Sequence, residues 1–254
     1  MNYDKGKRIY GYEEINEMIQ LYLIRHSMTA GNLKKRYIGR TDEPLCPEGI
    51  ALLESYIQKN VYPEVERIYV SPMKRCIETA GLIFGDRVST CDGFRKIEEL
   101  RECDFGIFEN KNYKELSDCP EYQAWIDSGG TMTFAGGENP NEFRKRCVCG
   151  FDKIIEECRR DQIERAAVVA HGGTIMSIMD RYARGENGQP DGSYYDYQVK
   201  NGEGYELIIA DVSTGDGGIC TGSDIRGSGV AVSPGENDRT SDFRGGKNYK
   251  KLIP

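Results

Sequence analysis

Residues Leu21 to Asn32 read LYLIRHSMTAGN. The run LYLI is too short for a helix of its own and suits a strand buried on both faces. It gives way abruptly to Arg25, His26 and a series of small or polar residues. A buried strand ending on arginine and histidine sets both side chains at the carboxyl edge of a sheet, where open α/β sheets hold their ligands. The chain has only two histidines, so the placement of one beside an arginine is informative.

Three further apolar runs, Arg67 to Val70, Ala166 to Ala170 and Tyr205 to Ala210, read as companion strands of a mainly parallel sheet. Helical patterns lie between them. One follows Pro47 with Ile50, Leu53, Tyr56 and Ile57 at helical spacing. A second is predicted to open at Ser71-Pro72, a capping hydroxyl followed by proline in the first turn. A third carries Phe143, Cys147, Phe151, Ile154, Ile155 and Cys158 along one face, and a fourth follows Gly172-Gly173. Alternating strands and helices predict a three-layer α/β/α sandwich around a mainly parallel sheet. Residues 1–18 are expected to form an N-terminal extension, with EEINEMI as a turn or two of helix, and 19–213 the catalytic domain. Residues 214–254 are expected to form a mobile tail, because nine of the thirty glycines fall between Gly215 and Pro254 and large apolar side chains are few.

Charge and composition narrow the function. With 254 residues and a net charge of −7 the chain repels phosphate polymers and anionic bilayers, so neither nucleic acid nor membrane is an expected partner. It has no apolar run long enough to span a bilayer and no signal-peptide core at its start, which reads as a cytoplasmic protein. Nine cysteines in scattered positions read as reduced packing residues. Cys147 and Cys149, two apart in a helical pattern, point to different faces and make a poor metal pair.

The polar groups at the predicted strand ends converge. Arg25 and His26 end the first strand, Ser71 and Arg75 follow the second, and His171 ends AAVVA just before Gly172-Gly173, whose helix would present free N–H groups to an anion. Two guanidinium forks, two imidazoles and a helix N-terminus make a cage the size of a phosphate. Taken singly, each arginine would be an ordinary surface ion-pair partner and each histidine a structural residue.

With these motifs in order, the chain resembles the histidine phosphatase superfamily, the phosphoglycerate-mutase-like fold, from about Ile19 to Val212. LIRHSMTAGN resembles the segment of the nucleophilic histidine, RYIGRTDEPLCPEG the loop and helix start after it, and SPMKRCIETA the segment of the second arginine. ELRECDFGIFEN resembles the segment of the acid, AGGENPNEFRKR the next landmark and VVAHGGTI the segment of the second histidine. The resemblance implies His26 as nucleophile, Glu102 as general acid, Arg25, Arg75 and a protonated His171 as phosphoryl-oxygen ligands, and Asn32, Gly39 and Gly172 near the bound phosphate. It implies no metal and no cofactor. Two departures stand out: Cys46 replaces a serine or threonine before Pro47, which weakens that helix start, and Ser27 replaces the glycine after the histidine. Ser27 is expected either to add a hydrogen bond to phosphate or, if positive φ is required there, to strain the site.

The compact span from Glu102 to His171 favours a phosphatase over a mutase. GRTDEPL and YDYQVKNGEGYEL most resemble the broad-specificity branch that includes alpha-ribazole phosphatase. The segment from Asn110 to Gly137, with Trp125 and Phe134, is expected to shape the leaving-group pocket, and Tyr194, Tyr195 and Tyr197 to serve packing. The expected partner is a small phosphomonoester. The rivals are a bisphosphoglycerate-dependent phosphoglycerate mutase and a phospho-ligand binding module without turnover; the oligomeric state stays open, with a homodimer as one option.

Overall fold

In a computed structural model of the protein, residues 18–85, 94–210 and 246–253 are described. Six strands form one sheet: β1 (Met18–Arg25), β2 (Arg67–Val70), β3 (Phe94–Lys96), β4 (Arg165–Ala170), β5 (Gly204–Ala210) and β6 (Tyr249–Lys251), in the order β3-β2-β4-β1-β5-β6. β1, β2, β3 and β4 run parallel, while β5 lies antiparallel to β1 and β6 antiparallel to β5. The register sets Arg25 opposite Ala170, so His26 and His171 leave the sheet side by side.

The helices are α1 (Ala30–Leu33), α2 (Pro47–Gln58), α3 (Lys74–Phe84), α4 (Pro120–Asp127), α5 (Pro140–Arg160) and α6 (Gly172–Tyr182). Strand alternation sorts the core into two layers. Leu21, Leu23 and Val168 face Phe151, Ile154 and Ile155 of α5 and Ile175, Ile178 and Met179 of α6. Tyr22, Ile24 and Val169 face Cys76, Ala80 and Phe84 of α3 on the other side. The result is the expected α/β/α sandwich of phosphoglycerate-mutase type. Cutting Phe151, with 0% exposure, back to alanine removes the largest of the buried α5 side chains packed on the sheet and costs about 3–5 kcal/mol.

Local signals hold in most places and fail where a distant residue competes. α2 starts at Pro47 with Cys46 as a cap residue whose side chain makes no capping bond; the thiol turns to the Met28 carbonyl instead. The expected start of α3 at Ser71 is corrected. The helix begins at Lys74, whose N–H is capped by the carboxylate of Asp42 at 2.7 Å, because the Ser71 hydroxyl is committed to His171. The N-terminal extension falls on residues 1–17, outside the described part, and Met18 already belongs to β1.

The tail expectation is corrected at its end. Residues 211–245 lie outside the described part, but β6 returns to the sheet edge. Buried Asn248 donates to the carbonyls of Tyr182 and Ile208 and accepts from the Arg184 N–H, and the Tyr249 hydroxyl donates to Asp191. These bonds satisfy the backbone after α6 and give a short strand a reason to dock.

Candidate active site

The carboxyl ends of β1, β2 and β4 bring His26, Ser71, Arg75 and His171 together, all buried. The two imidazole rings lie 5.1 Å apart at 66°. His26 Nδ1 is 2.7 Å from the carbonyl oxygen of Ser27. A carbonyl only accepts, so Nδ1 carries the proton and Nε2 of the neutral ring keeps its lone pair. Burial, together with the charges of Arg75 and Arg25, holds the His26 pKa well below its ordinary value. The ring is therefore neutral, with the Nε2 lone pair free. Asn201 braces the segment by donating to the His26 carbonyl at 3.0 Å and to Asn32 Oδ1 at 3.3 Å.

His171 differs from its expected state. Its Nδ1 accepts from Arg75 Nε at 3.3 Å, so in the neutral ring Nε2 carries the proton and donates to Ser71 Oγ at 2.8 Å. Burial, then the charges of Arg75, His26 and Arg25, push its pKa well down. These groups by themselves keep the ring neutral, so the expected imidazolium depends on a bound anion. A phosphate dianion between the rings would pull both pKa values back up.

The arginines divide the work. Arg75 has 0% exposure and spends its guanidinium on protein: Nε to His171 and the two terminal nitrogens to the carbonyls of Thr41, Gly39 and Ile38. It contributes fixed positive charge and ties the 38–41 loop to the site. Arg25 is the open one. Its Nη1 donates to the Val199 carbonyl at 2.7 Å, but its buried Nε has no partner. An orphaned buried donor costs about 1–3 kcal/mol until something accepts from it, and beside a second guanidinium that something is an anion. Burial lowers the Arg25 pKa, and the nearby Glu102 carboxylate opposes that shift.

Glu102 sits at the start of α6. Its two oxygens accept from the N–H groups of Cys103 at 3.0 Å and Gly173 at 3.2 Å. Burial raises its pKa in spite of those bonds and the charges of Arg75 and Arg25, which favours the protonated acid. Gly173 is required here: a Cβ would stand 2.6 Å from Glu102 Oε1. The acid loop is held from behind by two residues of the AGGENPNEFRKR segment, to which the sequence alone assigns no role. Arg146 makes a fork on Glu138 at 2.9 and 2.8 Å and donates to the carbonyls of Glu99 and Arg101.

One expected contact, that of Ser27 with phosphate, is corrected. Ser27 Oγ donates to the Gly49 carbonyl at 2.7 Å and its N–H to Thr79 Oγ1 at 3.0 Å, so neither group is offered to phosphate. Its φ is not positive, so the strain alternative does not arise either. Ser27→Gly is expected to change the rate less than tenfold while lowering thermal stability by about 1 kcal/mol, read from a melt and a kcat/KM measurement. Gly39 gives its N–H to Glu109, and a Cβ there would meet the Cys103 carbonyl at 1.8 Å, so this glycine permits loop contact. Gly172 touches the site by packing, with its Cβ position 3.4 Å from the Arg25 guanidinium. Asn32 stays at the site through Asn201 while its Oδ1 caps α1 at Thr29.

Glu109 is a second residue without a sequence signal. It accepts from the N–H groups of Gly39, Arg40, Thr41 and Phe105 and from the Thr41 hydroxyl, at 2.7 to 3.3 Å, and so locks the 39–41 loop to the acid loop. Between these loops a cavity of about 450 Å³ opens on Glu102, lined by Gly39, Arg40, Met73, Arg101, Asp104, Gly137, Glu138 and Arg146. Trp125 and Phe134, expected to shape this pocket, instead stack on each other 5.2 Å apart over Phe108. Among the tyrosines expected to pack, Tyr197 is buried whereas Tyr195 is exposed.

Both imidazoles are held neutral by the fold, and this has a measurable sign. The unfolded chain takes up protons near pH 6.5 that the folded site refuses, so their contribution is complete above that pH and is lost as pH falls below it. The melting temperature of wild type is expected to fall more steeply from pH 6.5 to 5 than that of His171→Asn, and saturating phosphate to flatten the wild-type slope. Equal slopes in the two proteins would contradict the buried neutral pair.

An unpaired guanidinium N–H, a lone-pair imidazole and a carboxyl of raised pKa thus lie together at the carboxyl edge of the sheet. The chain belongs to the histidine phosphatase superfamily (branch 1), whose family model matches residues 21–210. It is 29% identical over 164 residues to a Hydrogenobacter thermophilus protein named, provisionally, phosphoserine phosphatase 2, covering 64% of this chain and 77% of that one. It is 26% identical over 186 residues to the adenosylcobalamin/alpha-ribazole phosphatase of Escherichia coli, covering 72% of this chain and 87% of the relative. The crystal structure of the alpha-ribazole phosphatase from Shigella flexneri superposes with a TM-score of 0.62 at 24% identity, over 74% of this chain and 90% of that one. No helix among the described residues is long and apolar enough to cross a membrane.

Proposed function

We propose that the protein hydrolyses small phosphomonoesters through a phosphohistidine, without a metal ion. The observation that carries this reading is the locked tautomer of His26, Nδ1–H on the Ser27 carbonyl, which leaves Nε2 as a free lone pair beside the unpaired Arg25 donor. In the first half-reaction Nε2 attacks phosphorus, the bond to the ester oxygen breaks and Glu102 gives its proton to the leaving alkoxide. In the second, the Glu102 carboxylate takes a proton from water as that water attacks phosphorus, the P–N bond breaks and phosphate leaves. His26 ends neutral and Glu102 protonated, so the cycle closes.

Arg25 and Arg75 supply the charge. An ion pair at about 4 Å is worth roughly 4 kcal/mol at an effective dielectric near 20, and only the part gained in the transition state speeds the reaction. The expected result is release of phosphate from p-nitrophenyl phosphate in EDTA. Turnover that requires an added divalent ion would refute the metal-free mechanism; tight phosphate binding with no turnover would favour the binding module. Bisphosphate-dependent exchange between 2- and 3-phosphoglycerate exceeding phosphate release would make it a mutase. The substrate reading starts from relatives named for alpha-ribazole and phosphoserine, two phosphomonoesters with unlike alcohols.

A further inference from the structure

The cavity over Glu102 bears on which alcohol is released. Glu102 is the wall it shares with the phosphate cage, so the group that receives the Glu102 proton lies in this chamber. Its lining holds one large apolar side chain, Met73, and no aromatic ring. The nearby aromatics Phe105, Phe108, Trp125 and Phe134 pack against one another, so the flat surfaces that face the chamber are guanidinium groups. The chamber is polar and it is charged.

Its charges are held unequally. Glu138 is spent on the fork from Arg146, a pair with less than a quarter of either side chain exposed. Arg40 and Arg101 reach the rim from different loops. Both arginines are more than half exposed, at 65% and 55%, and each is tied to a carboxylate by one long contact, Arg40 to Asp104 at 3.5 Å and Arg101 to Glu98 at 3.7 Å. Single exposed contacts of this length are weak, so a ligand anion displaces or bridges them at little cost. In a chain of net charge −7, two loosely held guanidinium groups at the mouth of the leaving-group chamber are positive groups that an incoming anion can recruit.

We propose that the alcohol released here carries its own anionic group, a carboxylate or a second phosphate, received by Arg40 and Arg101. The substrate is then a small phosphorylated acid rather than a nucleoside-like phosphate such as alpha-ribazole phosphate. This rests on the phosphatase reading above and adds the chemistry of the leaving group.

The test is a ratio within each protein, which cancels changes in folding or basal rate. kcat/KM is measured for matched pairs, phosphoglycolate against ethyl phosphate and O-phosphoserine against phosphoethanolamine, in wild type, Arg40→Ala, Arg101→Ala and the double variant, at low and high salt. A bisphosphorylated short diol against its monophosphate separates a second phosphate from a carboxylate. Wild type is expected to prefer at least one anionic member tenfold or more at low salt. The preference should shrink at high salt and fall below about threefold in the double variant. Ratios near one in wild type, a preference that survives the double substitution, or alpha-ribazole phosphate turned over faster than every anionic substrate would overturn it. Loss of the phosphatase reading looks different: no ester in the panel, including p-nitrophenyl phosphate, is hydrolysed.

Discussion

His26→Ala is expected to lower kcat on every phosphomonoester by about 10⁴-fold or more, and to remove the covalent intermediate altogether. The size follows from what the ring alone supplies. No other lone-pair nitrogen is in position: both nitrogens of His171 are occupied, by Arg75 and by Ser71. Direct attack by water would have to proceed without the two-step path, with only the arginine charges to help. Wild type quenched in alkali after mixing with labelled substrate is expected to hold label as a phosphohistidine, stable in base and lost in acid, and the variant none. The fold should tolerate the change, because the one hydrogen bond lost is to the neighbouring Ser27 carbonyl. Retained phosphate binding and a cooperative melt separate lost chemistry from lost structure. A variant keeping more than about 1% of the wild-type rate would remove His26 from the nucleophile's role.

The parts legible in the sequence are those set by short-range pattern. The runs LYLI, IYV and AAVVA are buried strands because their side chains are apolar or aromatic, and the polar residues just after them must then gather at one sheet edge. The parts that were not legible depend on partner choice across the chain. Ser71 had the form of a helix cap, but a buried imidazole 100 residues later needed its hydroxyl more, and Asp42 took over the cap. Glu109 gives no local sign that four loop N–H groups converge on it, and the fork between Arg146 and Glu138 looks like any helix charge beside any loop charge. β6, three residues long and far from β5 in sequence, had no periodicity to detect. The charge state of His171 is not legible in the sequence for a related reason: burial and two guanidinium groups across the chain push its pKa down, and a phosphate dianion would push it up again.

Glu102→Gln separates the acid from the rest of the machine. The leaving alkoxide of an alkyl phosphate is a strong base and must be protonated as the P–O bond breaks, whereas p-nitrophenolate leaves without help. The variant is therefore expected to lose about 10²–10³-fold in kcat on alkyl phosphates and less than about tenfold on p-nitrophenyl phosphate. Glutamine keeps one carbonyl oxygen for the Gly173 N–H and loses the acceptor for the Cys103 N–H, a loss shared by both classes of ester, so the contrast between them reports the proton. The pH profile carries the same information. Because burial raises the Glu102 pKa, the rate on alkyl esters should fall on the alkaline side as the acid ionises, and that limb should vanish in the variant. The limb belongs to Glu102 and not to His26, whose lowered pKa places its loss of function at the acidic end. Arg146→Ala should reproduce the contrast in weaker form, because without its bonds to the Glu99 and Arg101 carbonyls the acid remains present but is no longer aimed. Equal losses on both classes of ester in Glu102→Gln would assign this residue to binding and leave the proton donor to be sought elsewhere in the chamber.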